Sequence, residues 1–131
     1  MSRFFEPAYA LFRIVLGALF AMHGAQKIFG ILGGFKDTPG ATAPTGSQAW
    51  IGGLIELVCG LLILVGLQAG WAAFLASGTM AVAYFQFHQY PKGGLPMQNG
   101  GELAVIYCFA FLVIATKGSG IWSISGRRKS S

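Results

Sequence analysis

With 131 residues, 54% of them hydrophobic and 10% charged, the chain departs from the usual soluble domain, in which about 25% of residues are charged; it reads as one membrane-embedded domain spanning residues 1–131, with no room for a separate soluble catalytic module. The formal charge of +5 comes from basic residues that are scattered or flank apolar segments, and without a basic face interleaved with aromatics this argues against nucleic acid as a partner. Two widely separated histidines and two widely separated cysteines argue equally against a dedicated metal site or a paired thiol relay.

Four apolar segments follow one another, at about 7–31, 49–67, 70–88 and 102–116. In the first, Pro7 suits a first-turn position, where its missing N–H has no partner to lose. Arg3 before an apolar run resembles a signal peptide, but Arg13 interrupts the run and no small-x-small cleavage site follows, so a retained helix is expected. Arg13, Phe20 and Lys27 recur every seven positions, with His23 and Gln26 close by. An ionisable group at membrane depth costs about 2.5 to 3.5 kcal/mol on insertion scales, so this polar stripe must face other helices. Gly17 and Gly24, also seven apart, offer a neighbour close approach.

Prolines and glycines mark 33–48 as a loop. The second segment holds a single acid, Glu56, with Gly52 and Gly60 four residues to either side on the same face. Only Gln68 and Ala69 separate it from the third, which makes the two antiparallel neighbours. A second Pro/Gly-rich connection spans 88–101, and Asn99 and Gly100 are expected to cap the fourth segment. Beyond it, Trp122 is expected at headgroup level, followed by the basic Arg127, Arg128 and Lys129.

The expected fold is therefore an all-α, four-helix transmembrane bundle, and the excess of Lys and Arg near the chain ends places both termini in the cytoplasm. Depth along the helices then gathers His23, Gln26, Lys27, Glu56 and Glu102 into one outer polar layer, with His88 and Asn99 at its rim. Arg13 lies about 15 Å further in by helix rise; it is expected to serve or snorkel toward the cytoplasmic half, where it offers a positive charge to an anionic headgroup. Two readings of the layer stand side by side. Glu56 with Lys27 or His23 is either a charge pair that locks helix packing, or part of a proton-handling or binding site for a small polar or quinone-like molecule. Glu102, in a first turn, also gains from the helix dipole alone, and Cys59 and Cys108 read as packing residues.

Several short motifs carry a resemblance. Arg13, Gly17, Phe20, His23, Gly24 and Lys27, then Gly53, Glu56 and Gly60, then the N-G-G-E-L-A of 99–104 and the G-x-G-x-W-S of 118–123 are together similar to the DoxX family, over nearly the whole chain. The resemblance implies a multi-pass inner-membrane protein of bacteria or archaea, from a family named after a subunit of thiosulfate:quinone oxidoreductase and linked in some members to membrane redox complexes. Ser125 stands where that family commonly has an acid. The expectation is a membrane subunit or anchor of a redox complex, without a cofactor of its own but with room for quinone, whose partners are the lipid bilayer and either a redox protein or further copies of itself. The alternative is a non-catalytic assembly or stress factor, or a small-solute carrier.

Overall fold

The computed structural model describes residues 1–85, 95–96 and 101–127, and among them there is no strand. Four helices carry the fold: α1 (Phe5–Phe29), α2 (Gln48–Val65), α3 (Ala69–Ala83) and α4 (Glu102–Lys117), followed by the short α5 (Ile124–Arg127). Their ends have local causes. α1 stops at Gly30, whose φ of 71° sends the chain into the left-handed region while its N–H bonds the Gln26 carbonyl. α2 starts where the Ser47 side chain accepts from the Trp50 N–H, and stops at Gly66, with φ 73°. α4 is preceded by Gly101 as its cap; Asn99 and Gly100, the expected cap residues, lie outside the described residues. Tyr84 and Phe85 continue α3 in π-helical geometry.

Successive helices pack against one another, α1 on α2, α2 on α3 and α3 on α4. The closest seam joins α1 and α2. A Cβ added at Gly17 would lie 2.5 Å from the Leu64 nitrogen, and one at Gly60 would lie 2.5 Å from the Ala21 nitrogen. Gly24 and Gly53 repeat the arrangement one heptad along, Gly24 against the Leu57 nitrogen and Gly53 against the Lys27 side chain. The bare positions on α2 are thus Gly53 and Gly60, whereas Gly52, expected as a close-approach site, has no atom within 4 Å of an added Cβ. On α3 four of the six buried residues are alanine, at 69, 72, 73 and 76, with Ser77 and Met80 the others, which lets α4 come near. Phe20, Tyr107 and Phe111 fill the centre, with ring centroids 4.6 to 5.6 Å apart.

The outside is as apolar as the inside. Leu11, Val15, Leu19 and Met22 on α1, Val58 and Leu61 on α2, Trp71 and Phe74 on α3, and Ile106 and Phe109 on α4 are all exposed. Only 33% of the most apolar window in the stretch ending with α1, and 28% of that in α2, is buried; a core helix of a soluble protein would be mostly enclosed. These two helices are long and apolar enough to cross a membrane, and α3 is a shorter apolar helix.

Candidate functional site

α2 and α3 are tied together at the 66–68 turn and leave a cleft of about 960 Å³ between the helix halves furthest from it. That volume lies within the range of small-molecule sites, about 300 to 1,000 Å³. The walls are mostly apolar, and the polar side chains on them include His23, Lys27, Glu56 and Tyr107. The helix seam places Lys27 there. With no side chain on Gly53, the Lys27 stem lies over the α2 backbone, and Nζ reaches Glu56 Oε1 at 2.8 Å, three residues further along α2. The Glu56 residue is 5% exposed, and its Oε1 accepts no hydrogen bond from the described residues. The contact with Lys27 is therefore a close ion pair by distance, without the angles of a directed bond. His23 stands at 90° to Tyr107, ring centroids 6.1 Å apart.

A Glu56→Leu substitution strands the Lys27 ammonium. Because the Lys27 side chain is 29% exposed, water takes up part of the loss, and the expected destabilisation is about 1 to 3 kcal/mol rather than the 3 to 5 of a fully buried pair. Glu56→Gln, which keeps an acceptor of similar shape, is expected to lose less. Thermal midpoints in detergent measure both, and a Glu56→Leu protein as stable as the parent would show that the pair contributes nothing.

The remaining predicted residues are placed elsewhere. Gln26 turns away from the ion pair and donates from Nε2 to the Leu32 carbonyl at 2.6 Å, closing the turn after α1. Glu102 is exposed in the first turn of α4. His88 and Asn99 lie outside the described residues.

Arg13 neither reaches the surface nor offers its charge outward; it is 0% exposed. Nε donates to the Ile63 carbonyl at 3.0 Å, and one terminal nitrogen donates to Ser119 O at 2.6 Å and Ile121 O at 3.2 Å. The other donates to Trp122 O at 2.8 Å and, more weakly, to Leu64 O at 3.5 Å. Five carbonyls thus satisfy the guanidinium, and none of these partners is a carboxylate. Two of them belong to the last turn of α2, where the helix dipole presents negative charge. The 118–125 segment is held over this end by further contacts. Tyr9 donates to the Gly118 carbonyl at 2.6 Å, and Ser119 and Ser125 hydroxyls accept from the Ala69 and Gln68 nitrogens that open α3. Gly66 and Gly120 are bare because Ser123 and the Tyr9 ring lie directly against them. Nearby, Lys117 pairs with Glu6 at 2.8 Å and lies 5.4 Å from the centre of the Phe5 ring; both partners are well exposed, so the pair contributes little.

Tyr107, Cys108 and Lys36 line the cleft although sequence reasoning did not place them in the site. Tyr107 was visible as a hydroxyl-bearing ring in an otherwise apolar segment. Lys36 gave no such signal, since the loop brings it in by folding back on α1: the Ala43 N–H bonds the Lys27 carbonyl at 2.7 Å and the Phe35 N–H bonds the Ala41 carbonyl at 2.8 Å. Both cysteines are free thiols. No group of three His, Cys, Asp or Glu side chains that could hold a metal ion occurs among the described residues.

An all-helical chain with apolar outward faces and a few polar side chains gathered between its helices points to the class of integral membrane proteins. The chain belongs to the DoxX family, whose model matches residues 8–89. A protein from Haemophilus influenzae is 36% identical over 126 residues, covering 94% of this chain and 92% of the relative, and is itself described as uncharacterized. No solved structure matches significantly.

Proposed function

We propose that the protein crosses a bacterial or archaeal inner membrane four times with both termini in the cytoplasm, and serves as the membrane subunit or anchor of a redox complex whose quinone-like ligand sits in the cleft. The observation that carries this reading is the Lys27–Glu56 pair, one wall of an open cleft in a chain with few charges to spare. A carbonyl-bearing ring would find a cation and a histidine at its polar edge and apolar walls along its body. The Arg13 clasp supports binding rather than passage, because it fills the other end of the bundle with hydrogen-bonded backbone. A second reading, a non-catalytic assembly or stress factor, is favoured by the position of Lys27 over Gly53, where the ion pair also locks α1 to α2. Purification in mild detergent, with mass spectrometry of co-purifying proteins and lipids, separates the two: a redox protein or quinone supports the first, and their consistent absence the second.

Topology is tested independently. A reporter active only in the cytoplasm is expected to work when fused after Ser131 and to fail when inserted at Gly40 or Gly94; activity at either insertion overturns the four-span arrangement. The chemistry is expected to reside in the polar residues rather than the thiols. In a complementation assay at normal membrane levels, replacing Cys59 and Cys108 together by Ala should leave function intact, while His23→Ala and Glu56→Gln each remove it. A failing cysteine-free protein would make a thiol relay the better account.

A further inference from the structure

Gly52 on α2 and Gly78 on α3 both line the cleft, and a Cβ built on either meets no atom of the described residues within 4 Å. They differ in this from Gly17, Gly24, Gly53 and Gly60, each kept bare by atoms pressed against it. A helical glycine weakens its helix, so one without a packing neighbour calls for something else that approaches the backbone. At the polar end of the same cleft, Glu56 Oε1 is buried with Lys27 Nζ 2.8 Å away but outside the angles of a directed hydrogen bond, and a carboxylate oxygen so placed still has a lone pair for a second donor. Lys27 Nζ beside it has three N–H groups and cannot direct them all at Glu56. The exposed side chains that line the cleft include the apolar Ile51, Phe74, Leu75 and Val82, beside Lys36 and Gln48. The four apolar side chains offer an entry from lipid to a ligand dissolved there.

We propose that the cleft binds a membrane-dissolved amphiphile with an uncharged hydroxyl head, an alcohol or phenol, whose O–H donates to Glu56 Oε1 while its oxygen accepts from Lys27, and whose apolar body lies along the bare backbone of Gly52 and Gly78. The charge of the head follows from the pair. A carboxylate or phosphate head is repelled by Glu56, and an ammonium head competes with Lys27 for the one carboxylate. A hydroxyl is both donor and acceptor and complements the two without disturbing either. The proposal rests on the cleft reading above, but not on the ligand being a quinone.

Cys108 supplies the readout, since it lines the cleft half-buried while Cys59, 3% exposed, serves as the internal control. The protein is placed in phosphatidylcholine nanodiscs and alkylated with N-ethylmaleimide, and the rate of modification at each cysteine is followed by mass spectrometry. The probes are 1-dodecanol, dodecanoate, dodecyltrimethylammonium and decylubiquinone. At about ten times its dissociation constant, 1-dodecanol is expected to slow Cys108 modification about tenfold, because the rate follows the unoccupied fraction; the two charged probes should leave it unchanged. Gly52→Leu and Gly78→Leu, which fill the cleft from two different helices, should each slow Cys108 modification without any probe and abolish protection by dodecanol, with undiminished thermal stability. Glu56→Gln, lacking the charge that repels an anion, should let dodecanoate protect as well as dodecanol does. Equal protection by all three dodecyl heads in the parent overturns the hydroxyl head. Protection by decylubiquinone alone overturns it too, but leaves the quinone reading standing. Unchanged Cys108 modification in both leucine variants overturns the cleft, and both readings with it.

Discussion

Replacing Arg13 by Met is expected to reduce the stability of the folded protein by on the order of 3 to 5 kcal/mol, the largest single effect of any side chain in the bundle. The guanidinium satisfies five carbonyls from two separate parts of the chain, and methionine fills much of the same space without donating to any of them. The Ile63 and Ser119 carbonyls are left buried without a donor. Arg13→Lys should recover only part of the loss, since three N–H groups on a point charge cannot span the fork that the planar head reaches. Heating in detergent followed by size-exclusion chromatography measures the difference. An Arg13→Met protein as heat-resistant as the parent would mean that the clasp is dispensable.

The second large effect is expected at the glycine seam. Gly17→Ala pushes a methyl to 2.5 Å from the Leu64 nitrogen and 2.8 Å from the Gly60 carbonyl, and Gly60→Ala does the same to Ala21 and Gly17. Backbone cannot swing aside as a flexible side chain can, so each substitution must part α1 from α2, at about 1 to 3 kcal/mol or somewhat more. The two face one contact, and once the helices have separated the second methyl finds room, so the double variant should lose less than the sum. Gly52→Ala, one helix face away, should instead gain up to about 1 kcal/mol from helix propensity. Thermal midpoints of the four proteins test the contrast; a Gly17→Ala protein no less stable than Gly52→Ala would show that the seam is not tight.

The helical class and the polar residues that meet in the cleft were legible because each rests on a local rule. Apolar runs broken by Pro and Gly define helices, and matched depth along two neighbouring helices puts Lys27 near Glu56. Gly52 was misjudged for an equally physical reason. Its four-residue spacing from Glu56 put both on one face, but α1 and α2 meet along matched seven-residue pairs, Gly17 with Gly24 and Gly53 with Gly60, which leaves Gly52 facing the cleft. Gln26 had a polar amide and the right depth, yet the turn that follows offered it the Leu32 carbonyl first. The partners of Arg13 were beyond reach of any residue-type argument. They are backbone oxygens, and their convergence depends on positive-φ turns at Gly118, Gly120 and Trp122 that sequence pattern does not announce.

The clasp also sets an order for synthesis. Three carbonyls that satisfy Arg13 lie 106 to 109 residues downstream of it; at about 5 to 20 residues per second, the ribosome needs about 5 to 20 s to deliver them. Until then the first helix carries a guanidinium that lacks most of its partners, a state hydrocarbon disfavours. A chain broken off after Lys117 keeps this cation with only the Ile63 and Leu64 carbonyls of α2 to meet it, so the last segment decides whether the charge at the start of the bundle is concealed.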